Sequence, residues 1–214
     1  MRIRILQITD IHASQKFAGM LEKIVETEKP DVVIICGDIT HFGPYSFASQ
    51  ILNSIKVRGF TVLGNCDLPD TFEKISIPEN IIHLHGDATN FMGQKFAGFG
   101  GANGTPWAYG NLYSEAEIYT SLAKIADAES IVITHTPPCS FVRARIGEEM
   151  GSAGVDRILI EKKPKAILCG HIHEADGVEK IGSTVIVNPG PAKHGRYAIV
   201  EIEENKVEAL INED

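Results

Sequence analysis

Apolar runs of strand length alternate with helix-like segments in the first third of the chain. Residues 2–9, 31–36 and 59–63 are mostly apolar, and the run at 31–36 is typical of a strand that is buried on both faces. Residues 17–28 carry apolar side chains at helical spacing, and a second helix is predicted over 45–57. This alternation predicts parallel strands joined by right-handed crossovers.

The same alternation resumes after an irregular stretch in the middle of the chain. Short strands are predicted between 80 and 100, and a glycine-rich loop follows at 100–111. Residues 115–126 predict a helix in which Ser114 is the N-cap and Glu117 completes a capping box. The other predicted elements are a helix at 153–162 and strands at 131–134, 165–169, 177–180, 183–187, 196–202 and 206–211.

Two distant segments share one pattern. KPDVVIICGD (29–38) and KPKAILCGH (163–171) both begin with Lys-Pro, continue as an apolar strand, and end with Cys-Gly and a side chain that can bind a metal. We therefore expect two half-sheets that face each other and present polar side chains from their strand ends.

Composition narrows the classes of function. The chain has 214 residues, 43% of them hydrophobic, which suits one globular domain over 1–214. A net charge of −8, with no basic run longer than Lys162-Lys163, disfavours stable binding to nucleic acid or to an anionic membrane. Neither a signal peptide nor a membrane span is predicted. The four cysteines form no CxxC pair, and Cys36 and Cys169 are interpreted as buried apolar residues, so we expect a reducing cytoplasm.

Side chains that can bind a metal follow five of the predicted strands. They are Asp10 and His12, then Asp38, Asn65 and His135, and finally His171 with His173. Each fragment alone is weak, because Gly-Asp after a strand is usually a turn and a single histidine is usually only hydrogen-bonded. Sites in open α/β sheets form outside the carboxyl ends of the strands, so we expect these donors to meet.

The chemistry of these donors favours divalent cations. Imidazole, carboxylate and amide groups without a thiolate cluster suit Mn, Ni, Fe, Co or Zn, and we favour Mn. Seven donors are too many for one ion. They suit two ions about 3.5–4 Å apart that share a carboxylate.

In order, the blocks Asp-x-His (10–12), Gly-Asp (37–38), Gly-Asn-x-Asp (64–67), Thr-His (134–135) and Gly-His-x-His (170–173) resemble those of the calcineurin-like metallophosphoesterase superfamily. The resemblance implies an α/β fold, a four-layer α/β/β/α sandwich of two mixed β-sheets flanked by helices. It implies that Asp38 bridges two metals. One metal would take Asp10, His12, Asp38 and His173, and the other Asp38, Asn65, His135 and His171.

The block at 64–67 departs from much of the superfamily. Cys66 stands where a histidine commonly protonates the leaving oxygen, and a thiol is a poor substitute for that acid. The Gly-Asn-Cys-Asp block and Asn188-Pro189-Gly190 are similar to those of small bacterial and archaeal phosphodiesterases. We expect catalytic roles for Asn65, Cys66, Asp67 and His171, with Asp67 positioning its neighbours. The alternative for Cys66 is a packing role.

The implied reaction is hydrolysis of a phosphodiester bond in a small molecule or nucleotide, by attack of a metal-bridging hydroxide. The alternatives are a phosphomonoesterase or nuclease on the same site, or a non-catalytic scaffold of this fold. A homo-oligomer is left open. Further candidates for substrate contact are His41, His194, Arg143 and Arg145 in a loop, and Trp107 and Tyr109 in the 100–111 loop, whereas His83 and His85 are interpreted as structural.

Overall fold

The computed structural model describes residues 2–104, 110–204 and 206–213. Its strands are β1 (Arg2–Ile8), β2 (Val32–Cys36), β3 (Arg58–Val62), β4 (Ile81–His83), β5 (Asp87–Phe91), β6 (Gln94–Phe99), β7 (Ala102–Asn103), β8 (Leu112–Tyr113), β9 (Ser130–Thr134), β10 (Ala166–Leu168), β11 (Gly177–Ile181), β12 (Thr184–Asn188), β13 (Arg196–Glu203) and β14 (Lys206–Glu213). Its helices are α1 (Gln15–Glu28), α2 (Tyr45–Ser54), α3 (Thr71–Lys74), α4 (Glu115–Ile125), α5 (Cys139–Ile146) and α6 (Ala153–Lys162). Short 3-10 turns cover His173–Ala175 and Ala192–His194.

The strands form two mixed six-stranded sheets. The first has the order β14-β13-β1-β2-β3-β4, and the second has the order β11-β12-β10-β9-β6-β5. Neighbours from β1 to β4 are parallel, as are those from β12 through β10 and β9 to β6. The other pairs, β14–β13, β13–β1, β11–β12 and β5–β6, are antiparallel. The carboxyl ends of each parallel set therefore lie along one edge of its sheet.

Three apolar layers separate the two sheets from each other and from the helices. In β1, Ile3 and Ile5 belong to the cluster between the sheets, while Leu6 and Ile8 pack with α1 and α2. Helices α4, α5 and α6 cover the outer face of the second sheet. Fully burying one aliphatic side chain contributes about 1.5–3 kcal/mol, so these layers dominate the stability of the fold. The predicted α/β/β/α sandwich is confirmed.

The repeated Lys-Pro pattern ends a helix in both places. Lys29 follows α1 and Lys163 follows α6, and both adopt the left-handed conformation, with φ of 47° and 51°. A proline after such a residue stops the helix, because it cannot continue the hydrogen-bonding pattern. The two copies then enter β2 in the first sheet and β10 in the second, so the two half-sheets predicted from the repeat are present.

The structure corrects two predicted elements. Helix α2 ends at Ser54 rather than at 57, because the backbone of Ile55 is already extended, with ψ of 115°, and the amide of Asn80 donates to the carbonyls of Ile55 and Val57 in the segment that follows. The loop predicted around Arg143 and Arg145 is instead helix α5, which ends in a left-handed glycine at 147. Among the described residues, no helix is long and apolar enough to cross a membrane.

Candidate metal centre

Polar side chains from both sheets meet at the carboxyl ends of the parallel strands. Asp10, Asp38 and Asn65 come shortly after β1, β2 and β3, which are neighbours in the first sheet. His135 and His171 follow β9 and β10, which are neighbours in the second. The contacts between them, given below, join the two sheets at this edge.

One group of donors surrounds the carboxylate of Asp10. Its Oδ1 lies 3.1 Å from Nε2 of His173 and 3.5 Å from Nε2 of His12. The two imidazole nitrogens are 3.4 Å apart. Three donor atoms therefore converge on one small volume, as the ligands of a divalent cation do.

A second group surrounds the ring of His135. Its Nδ1 lies 2.7 Å from the carbonyl oxygen of Cys36, so Nδ1–H donates there and a neutral ring carries its lone pair on Nε2. That nitrogen faces Oδ1 of Asn65 at 3.0 Å and Oδ2 of Asp38 at 3.5 Å. Three acceptors facing one another need a proton or a cation between them. The donor set therefore fits a divalent metal.

Asp38 lies between these two groups. Its Oδ2 is 3.5 Å from Nε2 of His135 and 3.7 Å from Nε2 of His12. The ring of His171 lies 4.9 Å from that of His135 between centroids, and the backbone N–H of His171 donates to Oδ2 of Asp10. All seven predicted ligands thus lie in or beside the two groups.

Charge and burial oppose each other in this cluster. Burial would raise the pKa of Asp10, but hydrogen bonds from His12 and His173 hold it well below its usual range. Burial lowers the pKa of His135, yet the neighbouring Asp38 carboxylate outweighs it and raises the value to about 9. Burial, with the charge of His135, lowers the pKa of His171 to about 4. The carboxylate of Asp38 therefore favours the charged form of the His135 ring.

Four of the proposed ligands share an unusual backbone conformation. Asp10, His12, Asp38 and His171 all have positive φ, between 47° and 67°. This conformation costs residues other than glycine about 1 kcal/mol or more, and such strain persists where the surrounding structure fixes it. Here it turns each side chain into the cluster immediately after its strand.

Two glycines permit the close approach of neighbouring strand ends. A Cβ at Gly64 would overlap the Asp38 carboxylate, and a Cβ at Gly170 would overlap the hydroxyl of Thr9 and approach Asp10. The glycines of the Gly-Asn and Gly-His blocks are therefore required by packing around the carboxylates.

Asp67 and Cys66 differ sharply in their surroundings. Asp67 is fully buried and accepts hydrogen bonds from the amides of Thr40 and Gly64 and from the Thr40 hydroxyl. Burial and the charge of Asp38 raise its pKa to about 6. Cys66 is partly exposed, and burial with the same charge raises its thiol pKa to about 12. Asp67 fixes the loop, whereas Cys66 faces the site.

Three buried amides support the centre, and their structural roles are not apparent from the sequence. Asn111 donates to the carbonyls of Gly64 and Asp67, and Asn188 donates to those of Ile172 and Ala175. Gln7 joins the sheets by donating to the carbonyls of Cys169 and Val187. Of the three, only Asn188 lies in a recognisable motif, the Asn-Pro-Gly turn. Gln7 and Asn111 lie in no motif that would mark them as structural.

The remaining candidates have different positions. His41 is exposed at the rim, 5.5 Å from His12 between ring centroids, and His194 is exposed in a groove lined also by His173.

On α5, Arg143 pairs with Glu149 and Arg145 with Glu179, so both guanidinium groups are bound to protein carboxylates. Trp107 and Tyr109 lie outside the described residues. His83 and His85 stack on aromatic rings away from the carboxylates.

Comparison with known families identifies the class of protein. The family model for metallophosphoesterases of the calcineurin superfamily matches residues 41–210, and the chain belongs to this family. It is also 29% identical over 217 residues to the uncharacterized protein MJ1162 of Methanocaldococcus jannaschii, covering 96% of this chain and 94% of that protein.

Solved structures confirm the fold. TT1561 of Thermus thermophilus is 18% identical and superposes with a TM-score of 0.76 over 98% of this chain and 99% of that one. A novel archaeal phosphodiesterase is 14% identical, with a TM-score of 0.56 over 98% of this chain and all of that one. At these identities, the likeness concerns the fold alone.

Proposed function

We propose that the chain is a metal-dependent phosphodiesterase that holds two divalent cations, with Mn favoured, and hydrolyses a small phosphodiester or nucleotide. One ion would be held by Asp10, His12, Asp38 and His173, and the other by Asp38, Asn65, His135 and His171. Such ions acidify water and neutralise phosphoryl charge when bound. The remaining roles belong to the side chains of the chain itself.

The position of Asp38 carries this proposal. Its Oδ2 faces His12 at 3.7 Å and His135 at 3.5 Å, so one carboxylate serves both groups of donors. Its other oxygen accepts the N–H of Cys66 at 2.7 Å, which fixes the orientation of the carboxylate. A fixed carboxylate between two sets of imidazoles is the arrangement that a two-metal site needs.

The charge of the ligands favours a diester over a monoester. Asp10 and Asp38 are the only carboxylates among the proposed ligands, so they cancel two of the four charges that two divalent ions bring. One hydroxide and one diester monoanion then neutralise the site, whereas a monoester dianion exceeds what it can neutralise. Asn65 and His171 would hold phosphoryl oxygens as charge builds on them.

Protonation of the leaving oxygen is the step that we expect to be inefficient at this site. Cys66 stands in the block where much of the superfamily has a histidine that can act as the acid. Burial and Asp38 raise the pKa of its thiol to about 12 when no cation is bound, whereas bound cations would favour the thiolate, which has no proton to give. We therefore expect slow turnover of poor leaving groups and preference for activated diesters. Losing a general acid typically lowers rates by about 10²–10⁴-fold.

A metal titration with two chromogenic substrates tests the proposal. Metal-free protein is loaded with Mn, the bound ions are counted, and an aryl diester is compared with the matching aryl monoester. We expect two ions per chain and a higher kcat/KM for the diester. One ion per chain would contradict the shared role of Asp38, and a preference for the monoester would favour a phosphomonoesterase. Full metal binding without hydrolysis of either ester would favour a non-catalytic scaffold.

A further inference from the structure

A third group of possible ligands lies beside the candidate centre. His12, His41 and Cys66 each place one donor atom within 4.8 Å of the others. The side chain of His12 is 12% exposed, Cys66 is partly exposed, and His41 is exposed at the rim. The group is therefore open to solvent on one side and continuous with the centre on the other, through His12.

The fold ties this group together by backbone contacts. His41 is on the loop after β2, and Cys66 is on the loop after β3. The N–H of Phe42 donates to the carbonyl of Cys66 at 2.6 Å, which joins the two loops. The N–H of Cys66 donates to Oδ1 of Asp38, and the His41 ring packs edge-on against that of Phe42. The juxtaposition thus follows from the fold.

The donor atoms suit a different ion from the one that the centre favours. The centre is rich in oxygen and nitrogen donors, whereas this group offers two imidazoles and a thiol. Sulfur selects thiophilic ions such as zinc or cadmium over manganese or magnesium. Tetrahedral zinc with bonds of about 2.0–2.3 Å needs donors about 3.3–3.8 Å apart. The donors here lie within 4.8 Å of one another, so binding zinc requires the exposed ring of His41 to move closer to His12 and Cys66.

His12 belongs to both groups of donors. The Nδ1 of His135 is fixed by the carbonyl of Cys36, in the way that metal-binding histidines are usually oriented. The Nδ1 of His12 is buried, and among the described residues it has no hydrogen-bond partner. No hydrogen bond at Nδ1 therefore fixes the orientation of the His12 ring among the described residues. A histidine that serves two groups of ligands needs this freedom.

We propose that His12, His41 and Cys66 form a site for a thiophilic divalent cation, such as zinc, which takes His12 from the candidate centre. Water completes the coordination, and the thiol proton passes to solvent as the sulfur binds the ion. Occupation of this site leaves the centre short of one imidazole and places a charge at its mouth. The resulting inhibition rests on the proposed function, whereas the binding does not.

Cobalt spectroscopy tests the binding without any assay of activity. Metal-free protein is titrated with Co²⁺, which gives a near-ultraviolet charge-transfer band when a thiolate binds it, and zinc is then added to displace the cobalt. We expect the band in the wild type, its loss in Cys66→Ser, and at least a 10-fold weaker zinc affinity in His41→Asn. Cys139→Ser is the matched control, because Cys139 is also partly exposed but lies on α5, and it should keep the band.

Inhibition of the Mn-loaded protein tests the shared use of His12. We expect zinc to inhibit diester hydrolysis and magnesium not to, with the inhibition constant at least 10-fold weaker in His41→Asn. A band that survives in Cys66→Ser, or a zinc affinity, read from displacement of the band, that is unchanged in His41→Asn, would refute the site. Zinc binding without inhibition would refute the sharing of His12. If Mn-loaded protein hydrolyses no ester, the proposed function fails, and the cobalt band still decides the site.

Discussion

Two histidines in this protein, His135 and His83, have opposite properties although burial acts on both. His135 is fully buried, 3.5 Å from the Asp38 carboxylate, and its pKa is raised to about 9. His83 stacks on Phe72 at 4.1 Å between ring centroids, and burial with the charge of His85 lowers its pKa to about 4. Burial alone favours the neutral ring at both places. The carboxylate is what reverses the outcome at His135.

The contrast shows what makes a histidine a candidate metal ligand here. Both residues are associated with apolar β segments, IVITH for His135 and IIHLH for His83. His135 follows its strand, where neighbouring strand ends bring carboxylates to it, whereas His83 is within β4 among aromatic rings. Position relative to the strand end therefore decides which partners the ring meets.

The strongest way to break the contrast is to remove the carboxylate charge. Asp38→Asn deprives both His12 and His135 of their shared partner. We expect fewer than two Mn ions per chain and a fall in kcat/KM for a diester of more than about 100-fold. Loss of a residue that only supports a metal ligand typically lowers activity by about 10–100-fold, and loss of a shared ligand should lower it further. Metal analysis and steady-state kinetics measure both effects.

Asp87→Asn is the matched control for that variant. Asp87 is exposed on β5, so the change in net charge is the same without any change at the site. It should retain two ions and the wild-type rate. Retention of both ions by Asp38→Asn would show that the imidazoles hold the metals without their shared carboxylate.

A second variant keeps every proposed ligand and removes the hydrogen bonds that hold the loop of two of them in place. Asn188 is fully buried, donates to two carbonyls of the loop that carries His171 and His173, and accepts the N–H of Gly190 at 3.0 Å. Asn188→Ala leaves these groups unsatisfied, which costs about 1–3 kcal/mol of unfolding free energy. We expect Mn affinity to fall by about 10–100-fold, as for loss of other supporting partners.

Isothermal titration of Mn well below the unfolding temperature measures this loss, and denaturant unfolding measures the stability. Asn53→Ala is the control, since Asn53 is an exposed amide on α2. Lower stability with unchanged Mn affinity would mean that Asn188 supports the fold without positioning the two histidines.

Much of the fold and of the site could be predicted because the informative residues are local. Apolar runs located the strands, and the capping box of Ser114 and Glu117 fixed the start of α4 as predicted. The convergence of donors followed from strand ends in parallel sheets, where side chains such as Asp10 and His135 stand at one edge.

Other features depend on contacts between distant residues. The segment after α2 is held by Asn80, which is 25 residues from Ile55 and outside any local pattern. The role of Gln7 exists only when the second sheet packs over the first, because its partners are carbonyls of Cys169 and Val187. Single buried amides have no periodicity, so the sequence alone cannot separate them from surface amides.

The contrast is sharpened by adding an imidazole beside the carboxylates. In Cys66→His, a ring replaces a thiol whose pKa is raised by burial and by Asp38. We expect a diester with a poor leaving group to be hydrolysed about 10-fold faster, because the new ring can protonate the departing oxygen, a modest part of the effect of a general acid. An activated aryl diester should change little.

The ratio of the two rates is the measured quantity, and Cys66→Ser is the control, because a hydroxyl is no better as an acid than the thiol. The serine variant should leave the ratio unchanged. No gain for Cys66→His on the poor leaving group would count against a catalytic role for position 66, and would favour a packing role for Cys66.

The smallest expected effect concerns His83, the half-buried histidine whose pKa is lowered. Because the pKa of His83 is about 4 in the folded protein, its ring stays neutral where the unfolded chain, with a pKa near 6.5, binds a proton. The unfolded state then holds more protons, so the free energy of unfolding falls as pH drops from about 6.5 towards 4. His85 acts in the same direction, and Asp87 opposes it weakly at His83.

His83→Phe keeps the stacking on Phe72 and removes this proton uptake. Because His83 is partly exposed and screened, we expect the variant to lose about 1 kcal/mol less than the wild type between pH 7 and pH 5. Urea unfolding at both pH values measures the difference, which is independent of any change in baseline stability. The exposed His194→Phe should behave as the wild type does. Equal losses in His83→Phe and wild type would mean that burial and His85 do not suppress protonation of His83, and the contrast with His135 would then come from the carboxylate side alone.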